Sequence, residues 1–324
     1  MIGSPTAAVS SHVLVTGAAG FAGSHLVDSL AAAGLRVVAW GRPGGAPPRD
    51  VPGVRWAAVD LLNRAAVNAA IGEVRPAVVY HCAGAAHVGR SWRGTADTLA
   101  INVRGTHHLL EALARLERPA HVLVPSSAMV YAAAAVPLAE EAPLGPASPY
   151  AVSKLAQEML ALRAADGGLQ VHVARAFNHF GPRQDAWFVA AGFARRIADV
   201  EAGRWEPEIA VGNLEARRDL TDVRDVVRAY RLIVERGRPG RPYNVCTGQA
   251  ISIRELLDRL LARARVPIRI RADPARYRPN DVPLVVGDPS RIRNEIGWTP
   301  EIRLEQALDD LLDYWRARAS DTRP

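Results

Sequence analysis

Tyr150 and Lys154 stand four residues apart in the segment Ser148-Pro149-Tyr150-Ala151-Val152-Ser153-Lys154. On a helix that spacing places both on one face. An ammonium held beside a phenol stabilises the phenolate and lowers the tyrosine pKa toward neutrality. Such a tyrosine can give or take a proton next to a carbonyl. The segment also carries its own start signal, because Ser148 suits an N-cap and Pro149 the first helical turn. Upstream, Ser126 and Ser127 close an apolar run and offer hydroxyl donors, although Ser126 also reads as an ordinary strand-end hydrogen bond.

A second constellation lies near the start: Thr16-Gly17-Ala18-Ala19-Gly20-Phe21-Ala22-Gly23. Here Gly17 would permit a tight turn, Gly20 a close approach of backbone to a pyrophosphate, and Gly23 the packing of helix on strand. The diphosphate would sit at the helix N-terminus. The end of the second strand selects the dinucleotide: an acid there bonds a ribose 2′-hydroxyl, whereas arginine accommodates a 2′-phosphate. This chain has Gly41-Arg42, which favours NADP(H) over NAD(H), the alternative being a solvated loop arginine. Asp60-Leu61, after the third strand, is placed to touch the adenine, or else Asp60 caps the following helix.

The elements needed to hold these residues are legible as short apolar runs. His12 to Thr16, Arg36 to Trp40, Val54 to Asp60, Ala77 to His81 and His121 to Pro125 read as buried strands, and a helix is expected over Phe21 to Ala33. Strands alternating with helices imply a parallel sheet covered on both faces, an α/β doubly wound architecture of Rossmann type. After Asn178 the chain becomes richer in Arg, Trp and Pro, with helices expected at Phe188 to Glu201 and Leu304 to Trp315. Asp222 to Val234 reads as a helix and Tyr243 to Cys246 as a strand. The chain is therefore expected to return to the first domain: 11–177 and 222–248 form the dinucleotide-binding part, 178–221 and 249–324 a smaller capping lobe.

The bulk numbers narrow the class. The chain has 324 residues, 49% of them hydrophobic, enough for a substantial core. No apolar run is long enough to span a bilayer and the start lacks a signal-peptide pattern, so a cytoplasmic protein without a membrane role is expected. Cys82 and Cys246 lie in apolar strand-like surroundings and read as core cysteines; neither a disulfide framework nor a metal site is indicated. The net charge of +7 comes mainly from scattered arginines. That distribution argues against nucleic acid and favours phosphate-bearing small ligands.

TGAAGFAG, PSSAMVY and SPYAVSK resemble the extended short-chain dehydrogenase/reductase family, over nearly the whole chain. SPYAVSKLAQEML, RAFNHFGPRQ, RRDLTDVRDVVRAY and YRPNDVPLVVGDPSRIRNEIGWTPEI further resemble the GDP-4-keto-6-deoxy-D-mannose reductases, which form GDP-D-rhamnose. The resemblance implies an NADPH-dependent reductase of a GDP-linked keto sugar. Tyr150 would be the proton donor to the C4 oxygen, and Ser127, four residues before Tyr131 as in the family motif, would polarise the carbonyl. Lys154 would hold the nicotinamide ribose and Asn102 would support the site. Ala19, Phe21 and Ala22 of the turn, with Cys82 and Ala83, are expected beside the cofactor.

For the sugar nucleotide the resemblance implies His87, Ser127, Asn178, Arg218, Arg278 and Asp281. A loop histidine at 87 and surface salt bridges for the arginines are the alternatives. Two departures stand out: Ala132 replaces the family's glycine, and His87 replaces a small polar residue. Related dehydratases carry acids just after the catalytic Ser/Thr, where this chain has Ala128 and Met129. A 4-epimerase or 4,6-dehydratase with tightly held NAD, and a non-catalytic NADP-sensing protein, are the competing readings. The Tyr150 helix and its predecessor from Thr95 to Leu116 pair across a dimer in the family, so a homodimer is expected.

Overall fold

Runs such as Val13-Leu14-Val15 can bury both faces at once, which suits the interior of a sheet with helices on either side. The computed structural model describes residues 12–45, 50–277 and 282–321. Strands β1 (Val13–Thr16), β2 (Val37–Gly41), β3 (Val54–Ala58), β4 (Val78–His81), β5 (His121–Ser127) and β6 (Gln170–Ala176) come first. Interleaved are helices α1 (Phe21–Ala32), α2 (Arg64–Val74), α3 (Val88–Ser91), α4 (Thr95–Leu99), α5 (Gly105–Leu113) and α6 (Pro149–Ala165). Then follow β7 (Asn178–Phe180), α7 (Val189–Glu201), β8 (Glu208–Val211), β9 (Arg217–Asp222), α8 (Val223–Arg236) and β10 (Pro242–Val245). The chain ends with β11 (Ala250–Ser252), α9 (Ile253–Leu261), β12 (Arg269–Ala272), β13 (Leu284–Val285), α10 (Ser290–Ile296) and α11 (Leu304–Asp321).

The main sheet has seven strands in the order β10-β6-β5-β4-β1-β2-β3. Its pairings β3 with β2, β2 with β1, β1 with β4 and β4 with β5 are parallel. This is the Rossmann-type α/β sheet expected from the strand pattern. Strand order reverses between β1 and β4, and in such sheets ligands bind at that switch point. A smaller sheet runs β11-β9-β13 with β7 also on β9, and β12 pairs with β8.

Two compact units emerge: Met1–Pro125 with Ser148–Val173 and Arg238–Arg241, and Ser126–Ala147 with Ala174–Gly237 and Pro242–Pro324. Each has its own apolar core. Leu14, Val38, Trp40, Leu109, Leu113 and Val122 belong to the first; Phe180, Ile197, Leu256, Leu260, Leu308 and Leu311 to the second. Among the described residues no helix is long and apolar enough to cross a membrane.

Two expected helices differ in detail: α11 runs on to Asp321, past the expected end at Trp315. From Thr95 the chain is helical only to Leu113, and Ala100–Arg104 forms a π-helical turn between α4 and α5. The wider turn accommodates one extra residue, a device common at functional sites. Asn102, fully buried, sits in it.

Candidate active site

Within the first unit, the glycine turn is shaped for close backbone approach. Gly17 has φ +63°, and a Cβ there would meet Ala83 N at 2.5 Å; a Cβ on Gly23 would meet Gly17 O at 2.2 Å. Neither position tolerates a side chain. Gly20 caps α1 with its backbone alone, without a side-chain bond or an acidic residue in the first turn. That end of α1 therefore suits an anion through its N–H groups and dipole. Ala19 is exposed, Phe21 and Ala22 are half-buried, and Cys82 and Ala83 lie against Gly17. These residues fit a dinucleotide's pyrophosphate.

Arg42 is exposed just past the end of β2. Asp60 does not cap the next helix. Asn63 does, accepting from Ala66 N at 3.1 Å, while Asp60 accepts from Leu62 N at 2.9 Å in a local turn beside buried Leu61. His87 caps α3, its Nδ1 accepting from Arg90 N at 3.1 Å.

Ser148 caps α6 by accepting from Ala151 N at 3.1 Å, with Pro149 in the first turn, so Tyr150 and Lys154 occupy successive turns as expected. Tyr150 is half-buried and its backbone N–H donates to Ser91 Oγ at 3.1 Å. Lys154 is buried, and its ammonium donates to the Pro125 carbonyl and to Gln157 Oε1. Burial pulls its pKa down to about 8, against the opposing pull of nearby groups that include the Glu158 carboxylate. Asn102 reaches the same helix: Nδ2 donates to Ser153 Oγ at 2.8 Å and to Ala85 O at 3.1 Å, and Oδ1 accepts from Ala85 N at 2.7 Å. It thereby ties the segment after β4 to α6.

Within the second unit, Ser127 ends β5 and its Oγ accepts from Met129 N at 3.2 Å. Met129 and Ala128 line a small apolar pocket with Tyr131, Leu138, Val282 and Leu284. The unusual Ala132 is accommodated by Gly145, where an added Cβ would come within 2.9 Å of the Ala132 methyl. Tyr131 donates to Asn244 Oδ1 at 2.7 Å and accepts from Arg175 Nη1 at 2.9 Å, fixing the segment that follows Ser127. Asn178 starts β7 and pairs with Leu220 of β9, two residues beyond Arg218, so those two candidates share neighbouring strands. Arg278 and Asp281 lie outside the described residues.

Residues 14–311 match the family model described as GDP-mannose 4,6 dehydratase. The chain belongs to the GDP-mannose 4,6-dehydratase family of extended short-chain dehydrogenases/reductases. Among curated relatives, the GDP-6-deoxy-D-mannose reductase of Pseudomonas aeruginosa is 39% identical, the match covering 97% of this chain and 100% of that protein. A GDP-mannose 4,6-dehydratase of Vibrio cholerae is 27% identical over 78% of this chain and 76% of its own. Among solved structures, RMD from Pseudomonas aeruginosa complexed with NADPH superposes with TM-score 0.82 at 36% identity, covering 95% and 99%. UDP-glucose 4-epimerase from Thermotoga maritima, with UDP-glucose, gives TM-score 0.85 at 27% identity, again covering 95% and 99%.

Sequence reasoning missed three buried polar residues that bond toward Lys154. His81, Thr106 and Gln157 read from the sequence only as parts of elements, yet all three are buried, His81 and Gln157 each bond the Thr106 hydroxyl, and Gln157 bonds Lys154. The available signal was a polar residue closing an otherwise apolar strand, His81, opposite Thr16 in register. Burial pushes the Cys82 thiol up to about 12, which keeps it protonated and unreactive, but Cys82 is half-buried where a core cysteine was expected.

Proposed function

We propose that the protein is an NADPH-dependent reductase acting on the C4 keto group of a nucleotide-linked 4-keto-6-deoxy sugar, converting GDP-4-keto-6-deoxy-D-mannose to GDP-D-rhamnose. The observation that carries this reading over dehydration is Ala128-Met129. Expelling a 6-hydroxyl needs an acid, and neither side chain can carry a proton. Their apolar pocket instead suits a methyl group already present at C6. The identity with the Pseudomonas aeruginosa GDP-6-deoxy-D-mannose reductase supports the same choice.

When bound, NADPH supplies the hydride that reduces C4. Tyr150 donates its phenolic proton to the C4 oxygen, completing the alcohol. The Ser127 hydroxyl donates a hydrogen bond to that oxygen, and Lys154 holds the nicotinamide ribose and stabilises the phenolate left behind. Asn178 and Arg218, with Arg278 and Asp281, are assigned to the sugar-linked diphosphate and nucleoside.

Supplying the purified protein with GDP-4-keto-6-deoxy-D-mannose should give NADPH oxidation, while GDP-mannose with NAD should give no keto sugar. Efficient dehydration of GDP-mannose would sink the reductase reading, and tightly retained NAD after purification would point to an epimerase-like recycler. NADPH should be preferred to NADH by at least ~10-fold, because a charge-assisted phosphate contact from Arg42 is worth roughly 1.5–3 kcal/mol. Arg42→Ala should erase most of that preference in steady-state kinetics. Equal use of both cofactors by the wild type would remove Arg42 from the site.

A further inference from the structure

A chain of buried polar groups links the glycine turn to the catalytic lysine through Thr16, His81, Thr106 and Gln157. Donor and acceptor inventory settles the direction of each bond. Thr106 Oγ1 donates its one proton to the Asn102 carbonyl at 2.6 Å. It must therefore accept both from Gln157 Nε2 at 2.7 Å and from His81 Nε2 at 2.9 Å. His81 then carries its proton on Nε2, and its Nδ1 accepts from Thr16 Oγ1 at 2.7 Å. Thr16 Oγ1 in turn accepts from Ala83 N at 3.2 Å, the residue packed against Gly17. At the other end, with its amide nitrogen committed to Thr106, Gln157 leaves Oε1 to accept from Lys154 Nζ. Thr16, Thr106 and Gln157 have no solvent exposure and His81 has 1%, so bulk water cannot replace a missing partner.

We propose that Gln157 is a positioning residue: locked by Thr106, its amide carbonyl and the Pro125 carbonyl hold two ammonium hydrogens of Lys154 and present the third to the cofactor. The inference rests on the reductase reading above. A carbonyl on the ammonium also favours its charged form over the neutral amine. The titratable groups acting on Lys154 are His81 at the end of β4, Cys82 just after it and Glu158 on its own helix, while Tyr150 stands one turn earlier on α6. Burial holds His81 neutral, with a pKa of about 3, and keeps the Cys82 thiol protonated. Neither cationic imidazole nor thiolate therefore competes with Gln157 for control of the lysine at neutral pH.

The test is NADPH affinity from pH 6.5 to 10 for the wild type, Gln157→Leu and Gln157→Glu, with melting temperature and kcat measured alongside. Wild-type affinity should fall as pH rises through the Lys154 ionisation, because deprotonation removes a charged donor. Gln157→Leu should move that fall to lower pH by about one unit and weaken binding about tenfold near pH 8. Gln157→Glu, which keeps an acceptor and adds charge, should move it to higher pH. Should Gln157→Leu fail to fold, the direction of the shift in Gln157→Glu decides alone. A purely structural role would lower melting temperature in the variants and leave the pH midpoint in place, and that result overturns the inference. Wild-type protein that binds no NADPH at any pH would sink the reductase reading and this inference with it. Binding with an unmoved midpoint sinks this inference only.

Discussion

Two regions of the molecule hold their helices by different electrostatic means. Beneath α6, the groups joining Thr16 to Lys154 are uncharged up to the single ammonium, and they are buried. Along α9 and α11, arginines meet carboxylates in partly exposed pairs. Arg263, just past α9, reaches Asp309 at 2.6 Å and Glu305 at 2.5 Å, and Arg259 also reaches Glu305. Ion pairs at the surface are worth about 0–1 kcal/mol, whereas a buried polar group left unpaired costs about 1–3 kcal/mol. The region with fewer charges is therefore the one whose bonds matter more. The second region rests on the apolar packing of Leu256, Leu257, Leu260, Leu308, Leu311 and Leu312 beneath its ion pairs.

The largest expected effect falls on α6, the helix that the buried chain supports. Tyr150→Phe deletes one hydroxyl and little packing, so kcat should drop ~100- to 10,000-fold while melting temperature and NADPH affinity stay close to wild type. A variant retaining more than about a tenth of the rate would remove Tyr150 as the proton donor. Next comes Thr106→Val, of similar shape but without the hydroxyl. It strands the His81 and Gln157 N–H groups and should cost roughly 2–4 kcal/mol in denaturant unfolding, about 1–3 for each unsatisfied group with partial relaxation. The smallest effect belongs to Glu305→Gln, which weakens two partly exposed pairs and should cost less than about 1 kcal/mol. Equal losses from Thr106→Val and Glu305→Gln would break the comparison.

Much of the site was readable because its signals are local. The Ser148-Pro149 start of α6, the turn around Gly17 and the apolar strands all depend on neighbours a few residues away, and each formed within a residue or two of expectation. Asp60 shows the limit of that reasoning. Capping the next helix was a fair alternative for it, but Asn63, three residues on, stands where the first turn begins. The helix from Thr95 was legible as a helix, but its π-helical turn was not, since periodicity carries no mark for one inserted residue.

By itself, then, the sequence determined the first five strands of the main sheet, the glycine cradle and the Tyr150–Lys154 face, because hydrophobic runs, turn chemistry and i, i+4 spacing act within a few residues. Only the tertiary structure decided what surrounds them. Thr16 meets His81 across 65 residues of chain and Gln157 meets Thr106 across 51. Gly145 makes room for Ala132 from 13 residues away. Such pairings follow from parallel strand register and helix packing, which bring distant polar groups into a space without water, where each must find a partner.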